Sequence, residues 1–254
     1  MHPFSVGSKS SPGLLKETLA ARLREEILSG GLAPGQPVVE TQWAPRLKVA
    51  QASVREAIHI LVSEGFLVKQ PGRSARVTKF SAADVADLYE VRAALEGLAA
   101  RLTAERRAEV SELERAIEQM SAAARRRDVQ GVVEQDLRFH LQLCEQSGNR
   151  FLVQHAHQVL VPLFAFTLIR AGGKPSATQA WADSVGVHHL LVDAVRSGDP
   201  MYAEQTAVHV VRSFSRVARD GWVEDQPGRV AGGETECARL RDTHAGRRRS
   251  GNGS

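Results

Sequence analysis

Residues 53–77 read SVREAIHILVSEGFLVKQPGRSARV, and this stretch carries the signals of a helix followed by a β-hairpin. Four apolar residues share one face of its first half at helical spacing: Val54, Ala57, Ile58 and Leu61. Gly65 ends that pattern, and the extended runs 66–68 and 75–77 flank a Gln70-Pro71-Gly72-Arg73 turn. The stretch therefore predicts a helix that leads directly into a hairpin.

Two more helices are predicted upstream of this stretch. An apolar residue recurs at every fourth position from Leu15 to Ile27, and Gly30 ends this first helix. A turn at Pro34-Gly35 separates it from a short second helix over 40–47. Three helices and a hairpin, with two of the helices joined by a tight turn, predict a winged helix-turn-helix domain over residues 13–79.

The rest of the chain reads as helices, because no strand signal occurs from Asp84 onward. The helical stretches begin with the repeat from Leu88 to Leu102 and continue over 108–127, 129–147, 149–171, 178–198 and 200–222. About six antiparallel helices predict a bundle over residues 80–223. The predicted fold class is mainly α: an N-terminal winged helix-turn-helix plus a C-terminal all-α antiparallel helical bundle, with disordered tails at 1–12 and 224–254.

Composition excludes several classes of protein. The chain has 254 residues and 43% of them are hydrophobic, so neither disorder throughout nor a fibre is expected. Two cysteines cannot build a disulfide framework and no basic-then-apolar leader opens the chain, so a cytoplasmic protein is expected. The uncharged stretch 151–169 approaches membrane-spanning length, but it contains His155, His157 and Pro162 and reads as a core helix, with no membrane partner.

The charge is distributed unevenly along the chain. Residues 1–79 carry 11 Lys and Arg against 6 Asp and Glu, whereas residues 80–223 carry 16 against 18. A basic module attached to a slightly acidic one is typical of a protein in which one domain binds a polyanion. Because such an imbalance is also common on solvated surfaces, it favours DNA binding only together with the predicted winged fold.

Several polar residues of the bundle fall on or beside apolar helix faces. Asp136 and His140 are spaced i, i+4 on one face, which is half of a metal site but more often a salt-bridged pair. His188 falls near the centre of an apolar stripe, where a histidine is usually satisfied by a backbone carbonyl. His209 lies at the polar edge of the stripe on the last helix. The residues alone leave both interpretations open.

Three short strings in the first domain carry a family resemblance: Leu32-Ala33-Pro34-Gly35, Val54-Arg55-Glu56-Ala57-Ile58 with Leu61, and Glu64-Gly65-Phe66-Leu67-Val68. They resemble the amino-terminal domain of the GntR family of bacterial transcription regulators. The resemblance implies that the recognition helix and the wing bind double-stranded operator DNA. The candidate DNA contacts are Arg46, Gln51, Ser53, Arg55, Gly72 and Arg73.

These DNA candidates have plain structural alternatives. Arg55 on an amphipathic helix is otherwise a solvated charge, and Gly72 and Arg73 are otherwise only a turn. Gln51 stands where the family commonly has an arginine that reads a guanine. Because glutamine suits the N6 and N7 atoms of adenine, we expect operator half-sites that differ from the family's usual ones.

A second group of residues lies in the bundle: Val91-Arg92 with Leu95-Glu96, Asp136 with Phe139-His140, Ser147-Gly148-Asn149, His188 with Ala194-Val195, Gly198-Asp199, and His209. They resemble the FadR-like subfamily of GntR regulators, whose effector domain is an all-helical FCD-type bundle. The resemblance implies that Asp136, His140, His188 and His209 bind a divalent metal, for which zinc or nickel suits the donor set.

The resemblance also implies an effector and a dimer. The effector would be a small organic acid that chelates the metal, with Arg92 as a candidate clamp for a carboxylate. The alternative for Arg92 is an ion pair with Glu96 one turn further along the helix. The partner expected for the chain itself is a second copy, in a homodimer.

These features together predict a sequence-specific transcriptional regulator, most simply a repressor, whose operator affinity changes when the organic acid binds at the metal site. The sequence does not fix whether the acid releases or tightens DNA binding. One alternative is a metal-dependent hydrolase, which would need a general base beside the ligands. Another is a nucleoid-type protein that ignores DNA sequence, which the Arg247-Arg248-Arg249 tail favours. An enzyme is not expected.

Overall fold

Nine helices and three short strands make up the part of the chain that the structure describes. The computed structural model describes the backbone of residues 12–171 and 175–223, and the side chains of residues 15–171 and 185–214. The elements in chain order are α1 Pro12–Leu28, β1 Pro37–Val38, α2 Glu40–Leu47, α3 Gln51–Ser63, β2 Leu67–Val68, β3 Ala75–Val77, α4 Ala82–Glu105, α5 Ser111–Arg125, α6 Val129–Gln146, α7 Arg150–Ala171, α8 Pro175–Arg196 and α9 Pro200–Val223.

The predicted fold class is confirmed by this element order. The predicted tails at 1–12 and 224–254 lie outside the described residues, except that Pro12 begins α1. The predicted boundary between the two domains at residue 79 falls in the segment between the end of β3 and the start of α4.

The wing is a three-stranded sheet, whereas the sequence predicts only its hairpin. β3 is the central strand and pairs antiparallel with both β2 and β1. Leu67 lies opposite Val77, and Val38 lies opposite Ala75. β1 has no sequence signal because it is two residues long and begins with Pro37, a residue that sheets tolerate at an edge.

Helices α2 and α3 form the helix-turn-helix. Lys48 ends α2 in the left-handed backbone region, with a φ of 55°, a position that usually holds glycine. Pro45 lies inside α2 and removes one backbone donor, yet the helix continues to Leu47. Trp43 and Ala44 are buried and α2 packs on α3, which leaves the outer side of α3 exposed.

Helices α4 to α9 form the predicted bundle, with bounds within a few residues of the expected ones. α4 is the central helix, because it packs along α9 and also contacts α6, α7 and α8. Gly97 permits the close approach to α9, since a Cβ there would lie 2.8 Å from Val208 Cγ2. A capping box of Ser81 and Asp84 satisfies the first backbone donors of α4 and fixes where this helix starts.

The winged domain packs directly on α7 of the bundle. Gly65, which follows α3, is buried with a φ of +75°, and a Cβ there would lie 2.5 Å from Pro162 Cα. Beside this contact, Arg24 of α1 and Glu64 form a largely buried ion pair with an Nη2 to Oε2 distance of 2.6 Å. One apolar core runs continuously through both domains. The two domains are therefore joined by packing as well as by the chain.

By length and composition α7 is the one described helix apolar enough to cross a membrane, with a mean hydropathy of 1.4. In this structure it lies in the bundle against α4 and α6, and Leu160, Phe164 and Leu168 are buried in the common core. This placement agrees with the interpretation of residues 151–169 as a core helix.

Because Gly65 contacts Pro162, replacing Gly65 should destabilise the protein by more than backbone strain alone explains. Gly30→Ala is the matched control, because Gly30 also has a positive φ, of 82°, but a Cβ there meets nothing within 4 Å. We expect Gly30→Ala to lower the free energy of unfolding by about 1–2 kcal/mol, the cost of left-handed backbone for alanine. Gly65→Ala should cost about 1–3 kcal/mol more, because the added methyl meets backbone that cannot turn aside. Urea denaturation measures both, and equal losses would show that the domains do not touch here.

Candidate functional site

Five buried polar side chains meet in the centre of the bundle, and we call them the core cluster: Arg92, Glu96, Asp136, His140 and His188. They come from three helices, α4, α6 and α8. Asp136 Oδ1 lies 3.0 Å from Nε2 of His140 and 3.0 Å from Nε2 of His188. The structure therefore brings together three of the four predicted metal ligands and the predicted effector clamp.

The local sequence explains why these side chains point inward. On α4 and on α6 the polar residues are paired at i, i+4, so each pair shares one helix face. The flanking residues of α6, Leu137 and Phe139, are themselves fully buried, whereas Arg138 between them is only half-buried, so most of the helix surface at this point is packed in the bundle. The ring of Phe139 stands edge-on to the rings of His140 and His188, with centroids 5.3 and 4.8 Å apart.

Two residues of α4 contact the two sides of the His140 ring. Glu96 Oε2 lies 2.7 Å from Nδ1, and Arg92 Nη2 lies 2.6 Å from Nε2. Arg92 Nε also donates a hydrogen bond of 2.6 Å to Glu96 Oε1. The sequence left open whether Arg92 pairs with Glu96 or clamps an effector, and in this structure the ion pair is formed.

Charge compensation in the core cluster shifts the pKa values of its members. Burial alone would raise the pKa of Glu96, but Arg92 and His140 outweigh it and lower this pKa to about 2. Burial would likewise raise the pKa of Asp136, but hydrogen bonds with His140 and His188 hold it far below its usual range. Burial lowers the pKa of His140, whereas the nearby carboxylate of Glu96 raises it, and the net shift is upward. Both carboxyl groups are therefore anions within the bundle.

The donor set of the core cluster fits a divalent metal ion. The ligand atoms of Asp136, His140 and His188 all lie within 4.8 Å of one another. Two ligands about 2.1 Å from one ion and at a right angle to each other are about 3.0 Å apart, which is the separation found here and also that of a hydrogen bond. Glu96 behind His140 Nδ1 adds the carboxylate that commonly orients a metal-ligating histidine.

The fourth predicted ligand, His209, is not brought to the core cluster. It is exposed on α9, whereas its neighbours Val210 and Val211 are buried. Successive helical residues differ by about 100° in direction, so His209 and Val210 cannot face the same way. Phe214, one turn beyond Val210, does line the cavity beside the cluster. The residue that α9 turns inward at this point is therefore the apolar Val210.

A small cavity of about 30 Å³ adjoins the core cluster. Its lining residues are Tyr89, Arg92, Asp136, His140, Leu163, Phe164, Thr167 and Phe214. The guanidinium carbon of Arg92 lies 4.9 Å from the centroid of the Phe164 ring and 5.4 Å from that of Tyr89. Sequence reasoning did not find this wall, because Leu163, Phe164 and Thr167 belong to α7 and read as ordinary core positions.

The six DNA candidates all lie on the helix-turn-helix or the wing. Gln51 is the first residue of α3 and is exposed, as are Arg55 and Arg46, whereas Ser53 is half-buried. The Arg46 guanidinium lies over the Trp43 ring, 5.4 Å from its centroid. Gly72 and Arg73 are exposed at the tip of the wing, and Gly72 has the positive φ, +69°, that this turn requires.

An acidic residue that the sequence did not single out lies among these candidates. Glu40, the first residue of α2, accepts hydrogen bonds from Arg55 Nε at 3.0 Å and from Arg55 Nη2 at 2.8 Å. Lys69 at the end of the wing strand lies 3.8 Å from the same carboxylate. Fifteen residues separate Glu40 from Arg55, so no spacing rule for one helix reveals the pair.

Two family models match the chain. Residues 15–77 match the one described as bacterial regulatory proteins of the gntR family, and residues 87–213 match the FCD domain. The chain belongs to the GntR family. It is a transcriptional regulator with a DNA-binding domain, and the family consists of such regulators, which are not enzymes.

Curated relatives of this GntR protein include a transcriptional repressor and a transcriptional activator. It is 27% identical over 210 residues to the probable D-xylose utilization operon transcriptional repressor of Paenarthrobacter nicotinovorans, covering 81% of this chain and 91% of the relative. It is 29% identical over 225 residues to the Glc operon transcriptional activator of Escherichia coli K12, covering 80% and 89%. These likenesses support regulation of transcription and leave its direction open.

Solved structures share the fold. Escherichia coli McbR/YncC superposes with a TM-score of 0.63 at 20% identity, over 84% of this chain and all of the other. A transcriptional regulator of the GntR type from Rhodococcus sp. RHA1 gives a TM-score of 0.60 at 19% identity, over 84% and 99%. At these identities the likeness shows the arrangement of the two domains' elements.

Burial of the Arg92 pair in this GntR protein predicts an unequal response of two similar arginines on α4. Arg92→Ala leaves Glu96 buried without its main cation and should lower the free energy of unfolding by roughly 3–5 kcal/mol. Arg101→Ala is the control, because Arg101 pairs with Glu105 at the same i, i+4 spacing and with Glu204 of α9, but all three side chains are more than one third exposed. Its loss should stay below about 1 kcal/mol. Chemical denaturation compares the two variants, and similar losses would contradict the burial of the cluster.

Proposed function

We propose that this GntR-family protein is a sequence-specific repressor whose operator affinity is set by a small organic acid bound at a divalent-metal site in the core cluster. The proposal includes a homodimer that engages two operator half-sites, and it places the protein in the cytoplasm. The observation that carries it is the convergence of Asp136 Oδ1, His140 Nε2 and His188 Nε2 within a buried bundle.

The net charge of the core cluster favours the binding of a divalent metal ion together with an organic acid. Metal binding requires neutral imidazoles, and Arg92, Glu96 and Asp136 then leave one net negative charge, so a divalent cation would make the site positive. A bound ion would supply a Lewis acid for a carboxylate, and zinc or nickel suits two imidazoles and one carboxylate. A small organic anion would then restore neutrality, which favours an acid over a neutral sugar.

The acid requires Arg92 to move. A cavity of about 30 Å³ holds only two or three water molecules, since each needs about 10–15 Å³ by this measure. The guanidinium of Arg92 and a metal ion also compete for His140 Nε2, from which Arg92 Nη2 is 2.6 Å distant. Arg92 is thus placed to leave the histidine and to form a two-pronged pair with the carboxylate of the acid.

The path to the DNA-binding domain is short. Leu163 and Phe164 line the cavity, and Pro162, the preceding residue of α7, contacts Gly65 directly behind the recognition helix α3. A displacement of α7 by the acid therefore bears on the end of α3. In a homodimer, this changes the angle at which two recognition helices meet DNA half-sites spaced by a helical turn.

The experiment compares the native protein with His188→Ala and with the matched control His209→Ala. Each protein is assayed for metal content by mass spectrometry and for operator affinity with and without zinc or nickel and a panel of two- to six-carbon carboxylic acids. We expect close to one metal ion per chain in the native protein and in His209→Ala, and loss of the ion in His188→Ala. Acid should shift operator affinity only in the proteins that hold metal.

Three other outcomes of this experiment would point away from the proposal. Equal metal loss in both variants would restore His209 as a ligand, and native protein without metal would overturn the proposed site. Equal affinity for operator and random DNA at physiological salt would instead indicate the nucleoid-type function.

A further inference from the structure

We propose that Glu40 is a positioning residue for DNA readout: its carboxylate holds the Arg55 guanidinium so that the outer edge of that group reads a guanine in the operator. The inference rests on the proposed sequence-specific binding and concerns a residue that is not among the predicted DNA contacts. Its basis is the geometry between the first turn of α2 and the outer face of α3.

The contact uses one particular edge of the arginine. Arg55 donates from Nε to Glu40 Oε1 at 3.2 Å and to Oε2 at 3.0 Å, and from Nη2 to Oε2 at 2.8 Å. A guanidinium has five N–H donors in a fixed plane, and this side-on pair uses the Nε edge. In the described residues, no further hydrogen bond of the Arg55 side chain is found.

The remaining edge of the guanidinium is the one that guanine requires. Nη1 and Nη2 present two parallel N–H groups, which match O6 and N7 of a guanine in the major groove. A flexible exposed arginine would have to be ordered on binding, whereas Arg55, with 52% of its side chain exposed, is already fixed at its other edge. The carboxylate therefore supplies direction to a group that remains free to contact a base.

A carboxylate on a DNA-binding surface needs a reason to be there. Close to phosphates it opposes binding, and its pKa is lowered by the hydrogen bonds from Arg55, so it remains charged. Lys69 lies 3.8 Å from the same carboxylate, so Glu40 connects the recognition helix with the wing strand. Loss of the carboxylate should thus have two opposite effects: weaker discrimination between bases and equal or stronger attraction to DNA of any sequence.

Gln51 on the same recognition helix serves as an internal control for the effect of Glu40 on Arg55. Gln51 lies one helical turn before Arg55 on the same exposed face and suits adenine, and no hydrogen bond or ion pair joins its side chain to Glu40 in the described residues. A general distortion of α3 would weaken the base preference of both residues. A positioning role of Glu40 affects only the base that Arg55 reads.

The experiment uses the full-length protein and an operator obtained by binding-site selection. Affinities are measured for every single-base variant of one half-site, and Arg55→Ala and Gln51→Ala identify which base each side chain reads. We expect Glu40→Gln to reduce discrimination at the Arg55 base by about 5- to 100-fold, the range for losing one bidentate base contact. Discrimination at the Gln51 base should be unchanged, and affinity for random DNA should be equal or higher.

Two further variants separate positioning from stability. Glu112→Gln is the matched control, because Glu112 also lies in the first turn of a helix whose N-cap is a valine without a side-chain cap, and it pairs with Arg115 at 2.7 Å. It should leave all base preferences unchanged. Glu40→Asp keeps the charge at the start of α2 but is too short for the side-on contact, so it should lose the same discrimination as Glu40→Gln.

Three results would overturn the inference. The first is full retention of the Arg55 base preference in Glu40→Gln or Glu40→Asp. The second is equal loss at the Gln51 base, which assigns Glu40 a structural role in α2. The third is the absence of any base preference that depends on Arg55. Native protein that selects no sequence at all would overturn the proposed function as well, and that outcome is distinct from the first three.

Discussion

The pairing of Arg92 with Glu96 and His140 is the constraint on which the bundle depends. A guanidinium removed from water is tolerated only if charge and hydrogen bonds compensate it, and here the carboxylate of Glu96 on the same helix supplies both. Glu96 Oε2 lies 2.7 Å from Nδ1 of His140, and Nε2 on the other side of that ring lies 3.0 Å from Asp136 Oδ1. His188 of α8 contacts the same carboxylate, with Nε2 3.0 Å from Asp136 Oδ1, so three helices are held at one point by polar contacts within an otherwise apolar core.

The same arrangement offers a route by which the proposed site would act on DNA at a distance. The site is surrounded by packed helices, so a ligand that displaces Arg92 must also displace a wall of the cavity, and α7 forms one of these walls. Gly65 has no side chain that could move aside at its contact with Pro162. Backbone therefore packs against backbone where the two domains meet. Packed interfaces of this kind shift between discrete arrangements, as a regulator requires.

Local patterns in the sequence were sufficient for the helices, for the hairpin and for the i, i+4 pairs within the core cluster, because these depend on short spacings. The family resemblance was needed to group those pairs with His188, which lies 52 residues from Asp136. The i, i+4 pair of Asp136 and His140 is set by one helix, and the turn around Gly72 by four residues. Features that join distant segments were not predictable in this way. Strand β1 exists only because β3 offers it a partner, and the contact of Glu40 with Arg55 exists only because two helices meet across a turn.

His209 shows a second limit of prediction from sequence: a pattern that is uncertain by one residue leaves the direction of a helical side chain undefined. One residue along α9 turns a side chain by about 100°, so assigning the ligand to position 209 or 210 decides between a histidine in the cluster and a histidine in solvent. The burial of Val210 and the exposure of His209 place the histidine in solvent. A resemblance fixed the approximate position, and only the packing of α9 on α4 fixed the face.

The most direct measurement of the central claim is anomalous diffraction from crystals of the full-length protein loaded with zinc, collected on both sides of the metal absorption edge. The proposed metal site predicts one strong peak per chain about 2.0–2.2 Å from Asp136 Oδ1, His140 Nε2 and His188 Nε2, with Arg92 withdrawn from His140 and His209 without metal. A loaded crystal with no peak at these three atoms, or with its only peak at His209, would contradict it.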